Sequence, residues 1–146
     1  MSTRELSVNR PVKVNRIWLA GIAAVVASVL ANLVARALVL AALPLPEGFA
    51  PLQAPAIITF TVLGVVAATI VYAIVARVSK NPVRTYIIVA AVALIVSILP
   101  NFNLMGNPSA FPMPGGTPEV FGALIVFHVV AAVVSVAVLI GMTRKA

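Results

Sequence analysis

Residues 17–42, IWLAGIAAVVASVLANLVARALVLAA, form an unbroken apolar run that holds a single charge, Arg36, and a single amide, Asn32. Wound as a helix at about 1.5 Å per residue, this run is about 39 Å long. The hydrocarbon core of a bilayer is about 30 Å thick. The stretch therefore reads as a tilted or slightly overlong membrane span with an arginine inside it. A charge at that depth costs roughly 2.5–3.5 kcal/mol even on the lenient insertion scale. Arg36 needs a partner or a route to water.

The rest of the chain agrees with a membrane setting. It is 62% hydrophobic and 9% charged, where soluble domains average about 45–50% and about 25%. Four long apolar runs use most of its 146 residues and leave no room for a separate soluble domain. There is no cysteine, which excludes disulfides, thiol chemistry and cysteine-held metals. There is no aspartate, and glutamate occurs only as Glu5, Glu47 and Glu119. The net charge of +7 sits beside the apolar runs rather than in a soluble patch. Its expected partners are anionic lipid headgroups at the bilayer surface, not nucleic acid. Arg4, Arg10, Lys13 and Arg16 precede the first run as in a signal peptide. The apolar part of such a peptide is only about 7–15 residues long, so residues 17–42 are read as a retained span.

The expected spans are 17–42, 55–78, 83–99 and 119–142, in one membrane domain behind a basic arm of residues 1–16. Pro44 and Pro46 close the first span, Pro55 opens the second and Pro100 stops the third, as the missing N–H and fixed φ of proline dictate. Ser79-Lys80-Asn81-Pro82 is a tight turn, so the second and third spans are expected to be antiparallel neighbours. Residues 100–118 contain five prolines, three glycines and three asparagines. This composition argues against regular helix. Its Phe102, Leu104, Met105, Phe111 and Met113 suggest a loop folded back over the mouth of the bundle. Trp18, Tyr72 and Tyr86 read as interface anchors.

Arg4, Arg10, Lys13, Arg16, Arg77, Lys80, Arg84, Arg144 and Lys145 all fall on one side of a four-span arrangement. The opposite loops carry only Glu47 and Glu119. By the positive-inside rule both termini are cytoplasmic. The expected fold is all-α, a four-helix transmembrane bundle in the inner (plasma) membrane of a bacterial-type cell.

Depth then groups the polar side chains. Ser28, Asn32 and Arg36 share a face at i, i+4 spacing, continued by Ala20 and Ala24. Ala90, Ala93, Ser97 and Asn101 make a similar stripe on the third span. His128 lies nine residues below Glu119 on the fourth, followed by Ala132 and Ser135, and Thr59 and Thr61 lie near the outer end of the second. Asn32, Arg36, Ser97, Asn101, Glu119 and His128 are thus a candidate polar site in the outer half of the bilayer, with Glu119, carbonyl groups or outward snorkelling as ways to satisfy Arg36. The plain alternatives are interhelical hydrogen bonds for Ser28 and Asn32, packing for His128, close-packing surfaces for the alanine stripes and a helix-start acid for Glu119.

The segment Ser97-Ile98-Leu99-Pro100-Asn101, with Phe127-His128-Val129-Val130-Ala131-Ala132, resembles a domain-of-unknown-function family of small four-span bacterial membrane proteins. Asn32, Arg36 and the turn Asn81–Tyr86 are similar too. The resemblance covers nearly the whole chain and implies four spans and a bacterial inner membrane, but no activity. That family often has an acid where Asn101 stands here, so this chain lacks that carboxylate partner for Arg36 or His128.

Enzymatic chemistry is not expected. Metal catalysis needs three or four His, Cys, Asp or Glu ligands, and one intramembrane histidine does not supply them. A serine hydrolase needs an orienting acid behind its base, and none lies at depth. No glycine-rich phosphate loop and no paired haem histidines occur. No cofactor is expected. The leading expectation is a non-enzymatic structural, accessory or partner-binding membrane protein. The alternative is an outward-facing binding or transport module for an anionic headgroup or small acid. A third reading is a pH-responsive element built on His128.

Overall fold

The computed structural model describes residues 12–144. Arg4, Glu5, Arg10 and Lys145 of the expected arms lie outside the described residues. Each apolar run becomes one helix: α1 (Ile17–Ala42), α2 (Ala54–Val78), α3 (Pro82–Gly106) and α4 (Pro118–Thr143). Each of α2, α3 and α4 carries a proline in its first turn, where the absent N–H has no bond to lose. All four helices are long and apolar enough to cross a bilayer. The described chain is an all-helical, four-span membrane protein.

The third helix corrects the expectation that Pro100 ends it. α3 runs through Pro100 to Gly106. Only the bond to the Val96 carbonyl is forfeited, and neighbouring helices in a membrane bundle make such a proline tolerable. The remaining connection, 107–117, holds a short 3-10 turn, Pro108–Ala110.

Lys13, Arg16, Arg77, Lys80, Arg84 and Arg144 gather at one end of the bundle, here the basic end. Residues 43–53 and 107–117 form the other, the loop end. α1 supplies the tightest seam. Its Ala20, Gly21, Ala24, Ser28 and Asn32 are all buried, and a Cβ added at Gly21 would lie 2.5 Å from Thr69 Cγ2 of α2. Only glycine lets α1 and α2 approach this closely. α1 packs most extensively on α4, then on α2, and α3 leans on α4. α2 and α3, although joined by a tight turn, pack less closely than any of these pairs.

Two clusters close the ends. At the basic end Val12, Ile17, Tyr72, Tyr86 and Leu139 are buried together. The Tyr72 and Tyr86 rings lie 4.5 Å apart. Tyr72 donates to Thr143 Oγ1 at 2.7 Å, which in turn donates to the Leu139 carbonyl at 2.6 Å. The Lys13 N–H reaches the Thr143 carbonyl at 3.0 Å. Tyr72 and Tyr86 are therefore core residues, not interface anchors: each packs against the other helix rather than outward. Trp18 is exposed. At the loop end, buried Phe49 and Phe121 meet edge to face at 5.7 Å, with Leu52, Ile57, Val120 and Phe127 around them. Gly115, at φ +78°, turns the second loop against Phe49.

Candidate functional site

The loose seam between α2 and α3 is a cavity of about 680 Å³, within the range of about 300–1,000 Å³ typical of ligand sites. α2 contributes Phe60, Thr61, Gly64 and Ala68, α3 contributes Tyr86, Ala90, Ala93 and Ser97, and α4 contributes Leu124, His128, Ala132 and Ser135. Asn32 of α1 closes the back. The facing side chains of α2 and α3 are too small to fill the gap. A Cβ added at Gly64 meets nothing within 4 Å. Phe60, Leu63, Gly64, Ala93 and His128 are exposed, and they mark the mouth on the α2–α3 flank, facing where lipid would lie. Ile57, Leu124 and Phe127 join the cavity wall to the loop-end cluster. Val65, Tyr86 and Val136 join it to the basic-end cluster.

Polar groups from all four helices share one level. Asn32 precedes the end of α1 by ten residues, Thr61 follows the start of α2 by seven, Ser97 precedes the end of α3 by nine, and His128 follows the start of α4 by ten. At 1.5 Å per residue this is roughly 10–15 Å from the loop end. Asn32 Nδ2 donates to Thr61 Oγ1 at 2.9 Å. Asn32 is only 1% exposed, yet its Oδ1 has no partner. Tyr86, also 1% exposed, has an unpartnered hydroxyl. A buried polar atom without a hydrogen bond costs about 1–3 kcal/mol; both atoms are sealed from the open space, as are the unpartnered hydroxyls of Ser28 and Thr117. Ser97 donates to the Leu94 carbonyl at 2.8 Å and Ser135 to the Ala132 carbonyl at 3.2 Å. Their oxygens keep lone pairs but no free hydrogen. No lysine, arginine, aspartate or glutamate lines the cavity among the described residues.

The DUF6069 family, a family of unknown function, matches residues 8–145. The chain belongs to that family. No curated protein and no solved structure matches it.

Of the six residues expected to converge, this DUF6069 member brings Asn32, Ser97 and His128 to one cavity and leaves Arg36, Asn101 and Glu119 off it. Arg36 Nε donates to the Leu52 carbonyl at 2.7 Å, at the end of the 3-10 turn Ala50–Leu52. The guanidinium thus ties α1 to the first loop and sits above the cavity. Asn101 is buried near the end of α3, one turn past Ser97. Glu119 is exposed in the first turn of α4. Thr59 is exposed, whereas Thr61, two residues on, is buried and holds Asn32.

Three cavity residues escaped sequence reasoning. Tyr86 looked like an interface anchor because of its place near a helix start. Thr61 carried a signal, its polarity in an apolar run, but nothing paired it with Asn32. Gly64 was legible only as a small residue. The alanine stripe Ala90–Ala93–Ser97 is corrected as well: it lines the open space instead of making a close-packed surface, because α2 opposes it with Gly64 and Ala68 rather than with larger side chains.

Proposed function

We propose that this is a non-enzymatic membrane protein that holds a lipid-like amphiphile in the cavity between α2, α3 and α4, admitted sideways from the bilayer. The supporting observation is a mainly apolar space with a lateral mouth, bounded by a side-chain cluster toward each end, with Ser97 and His128 on its wall at one level. Lateral access suits a molecule already dissolved in the membrane. It is favoured over the outward-facing site for an anionic headgroup because the one intramembrane arginine is engaged with Leu52 outside the cavity. By the positive-inside rule we place the basic end in the cytoplasm and the protein in the bacterial inner membrane, with Lys13, Arg16, Arg77, Lys80, Arg84 and Arg144 against anionic lipid.

The chain lacks cysteine, which makes the test direct. The Ala93→Cys variant, reconstituted in phosphatidylcholine vesicles, is labelled with a lipid-soluble maleimide in the presence and absence of a nitroxide-bearing single-chain lipid. Labelling is expected to be slowed by the lipid, and a doubly substituted Ala93→Cys, Gly64→Leu protein is expected to lose that protection. Equal labelling with and without lipid would refute occupancy of the cavity. As a check on orientation, Cys introduced at Ser109 is expected to react with an impermeant reagent on intact cells, and Cys at Ser79 only after lysis.

A further inference from the structure

We infer that the cavity selects an uncharged lipid with a hydroxyl head over a fatty acid, a phospholipid or a plain hydrocarbon. This inference rests on the lipid-binding reading above and names the ligand's chemistry. Its basis is the balance of donors and acceptors on the wall.

Asn32 donates one of its two amide hydrogens to Thr61, and its unpartnered Oδ1 is sealed from the open space. Ser97 and Ser135 spend their hydrogens on their own helices and keep their oxygens as acceptors. At the polar level Ser97 is therefore an acceptor with no hydrogen to give. Carboxylate and phosphate esters carry acceptors only when ionised, and no cation lines the wall to offset their charge. A charged head would meet lone pairs in a low-dielectric setting, which is strongly unfavourable. A hydroxyl supplies the missing hydrogen and also accepts one. His128, exposed at the mouth, offers one N–H when neutral.

The shape of the cavity fits a single chain. Thr61 and Tyr72 are eleven residues apart on α2, about 16 Å along the axis, and Tyr86 packs against Tyr72 at the floor, the two rings tilted by 45°. Between the polar level and that floor the wall is Val65, Ala68, Ala90, Val136 and Ser135, whose hydrogen is spent on the Ala132 carbonyl. A head at the level of Asn32, Ser97 and His128 thus leaves an apolar channel for a tail running toward the basic end. Gly64 keeps the channel wide. A helix-interior glycine costs about 0.8–1.0 kcal/mol relative to alanine, and no close contact at Gly64 requires it.

The experiment loads the purified full chain in phosphatidylcholine nanodiscs with oleyl alcohol, oleate at about pH 8, or octadecene, each at equal concentration. Retained ligand is counted by native mass spectrometry and the melting temperature is read in parallel. Oleyl alcohol is expected to be retained about tenfold better than the other two, the factor that one net hydrogen bond gives. Ser97→Ala is expected to remove most of that preference while leaving octadecene retention unchanged. Gly64→Leu, which fills the space, is expected to abolish retention of all three without lowering the melting temperature. Should that variant fail to fold, Ala93→Leu on the opposite wall makes the same test. Equal retention of alcohol, oleate and octadecene, lost on filling, would overturn the hydroxyl preference and leave lipid binding standing. Retention of none of them, or retention indifferent to filling, would overturn both.

Discussion

Two glycines lie at different seams of α2. Gly21 of α1 is pressed against Thr69 of α2, with no room for a Cβ. Gly64, five residues before Thr69 on α2 itself, borders open space. The same residue type serves opposite ends: at one seam it lets backbones touch, at the other it keeps side chains out. A small residue in a membrane helix thus says nothing about closeness until the opposite wall is known. α2 meets Gly21 with the branched side chain of Thr69, which locks in. α3 meets Gly64 with alanines that do not reach.

The contrast is broken most forcefully at the tight seam. Gly21→Val puts two methyl groups where Thr69 already lies, and overpacking of this kind costs about 1–3 kcal/mol. A marked loss of folded yield and a lower melting temperature are expected. Unchanged melting would mean that α1 and α2 do not approach as closely as described. A smaller effect, of opposite sign at two rings in contact, separates the satisfied tyrosine from the orphaned one. Tyr72→Phe removes the donor to Thr143 and is expected to destabilise by about 1 kcal/mol. Tyr86→Phe removes a buried hydroxyl with no partner and is expected to stabilise by about 1 kcal/mol, read as denaturation midpoints in the same detergent. If both variants lose stability equally, Tyr86 has a partner. The mildest change sharpens the comparison at the loose seam. Gly64→Ala gains helix propensity of about 0.8–1.0 kcal/mol with nothing to strike, so its melting temperature is expected to rise slightly, whereas Gly21→Ala lowers it.

Much of the fold was legible because the bilayer imposes so few solutions. Apolar runs of sufficient length, basic residues flanking them on one side, and prolines at their starts define four antiparallel helices. α3 overran its expected end because proline disrupts one backbone bond, and the following Leu104 and Met105 still had an apolar neighbour to pack on. The site was half legible. Residue spacing gives depth well, so Asn32, Ser97 and His128 were grouped correctly as one level. Spacing gives direction around the bundle poorly. Arg36 shares a helix face with Asn32, yet one further turn carries it above the cavity to the first loop, where the Leu52 carbonyl was not a recognisable partner. Tyr86 failed for a different reason: aromatic residues near helix ends serve equally as surface anchors and as core, and only its burial against Tyr72 decides.

The backbone contact between Lys13 and Thr143 has a topological consequence. It brings the first turn of the bundle and the last to within one hydrogen bond, so a short peptide joining these points closes the chain into a ring without stretching any helix. Such a ring can be opened instead at Pro112, in the exposed second loop, which gives a circular permutant with its new ends at the opposite side of the bundle. Every helix–helix seam, tight or loose, survives that rearrangement, and the order of the helices along the chain becomes separable from their arrangement in space.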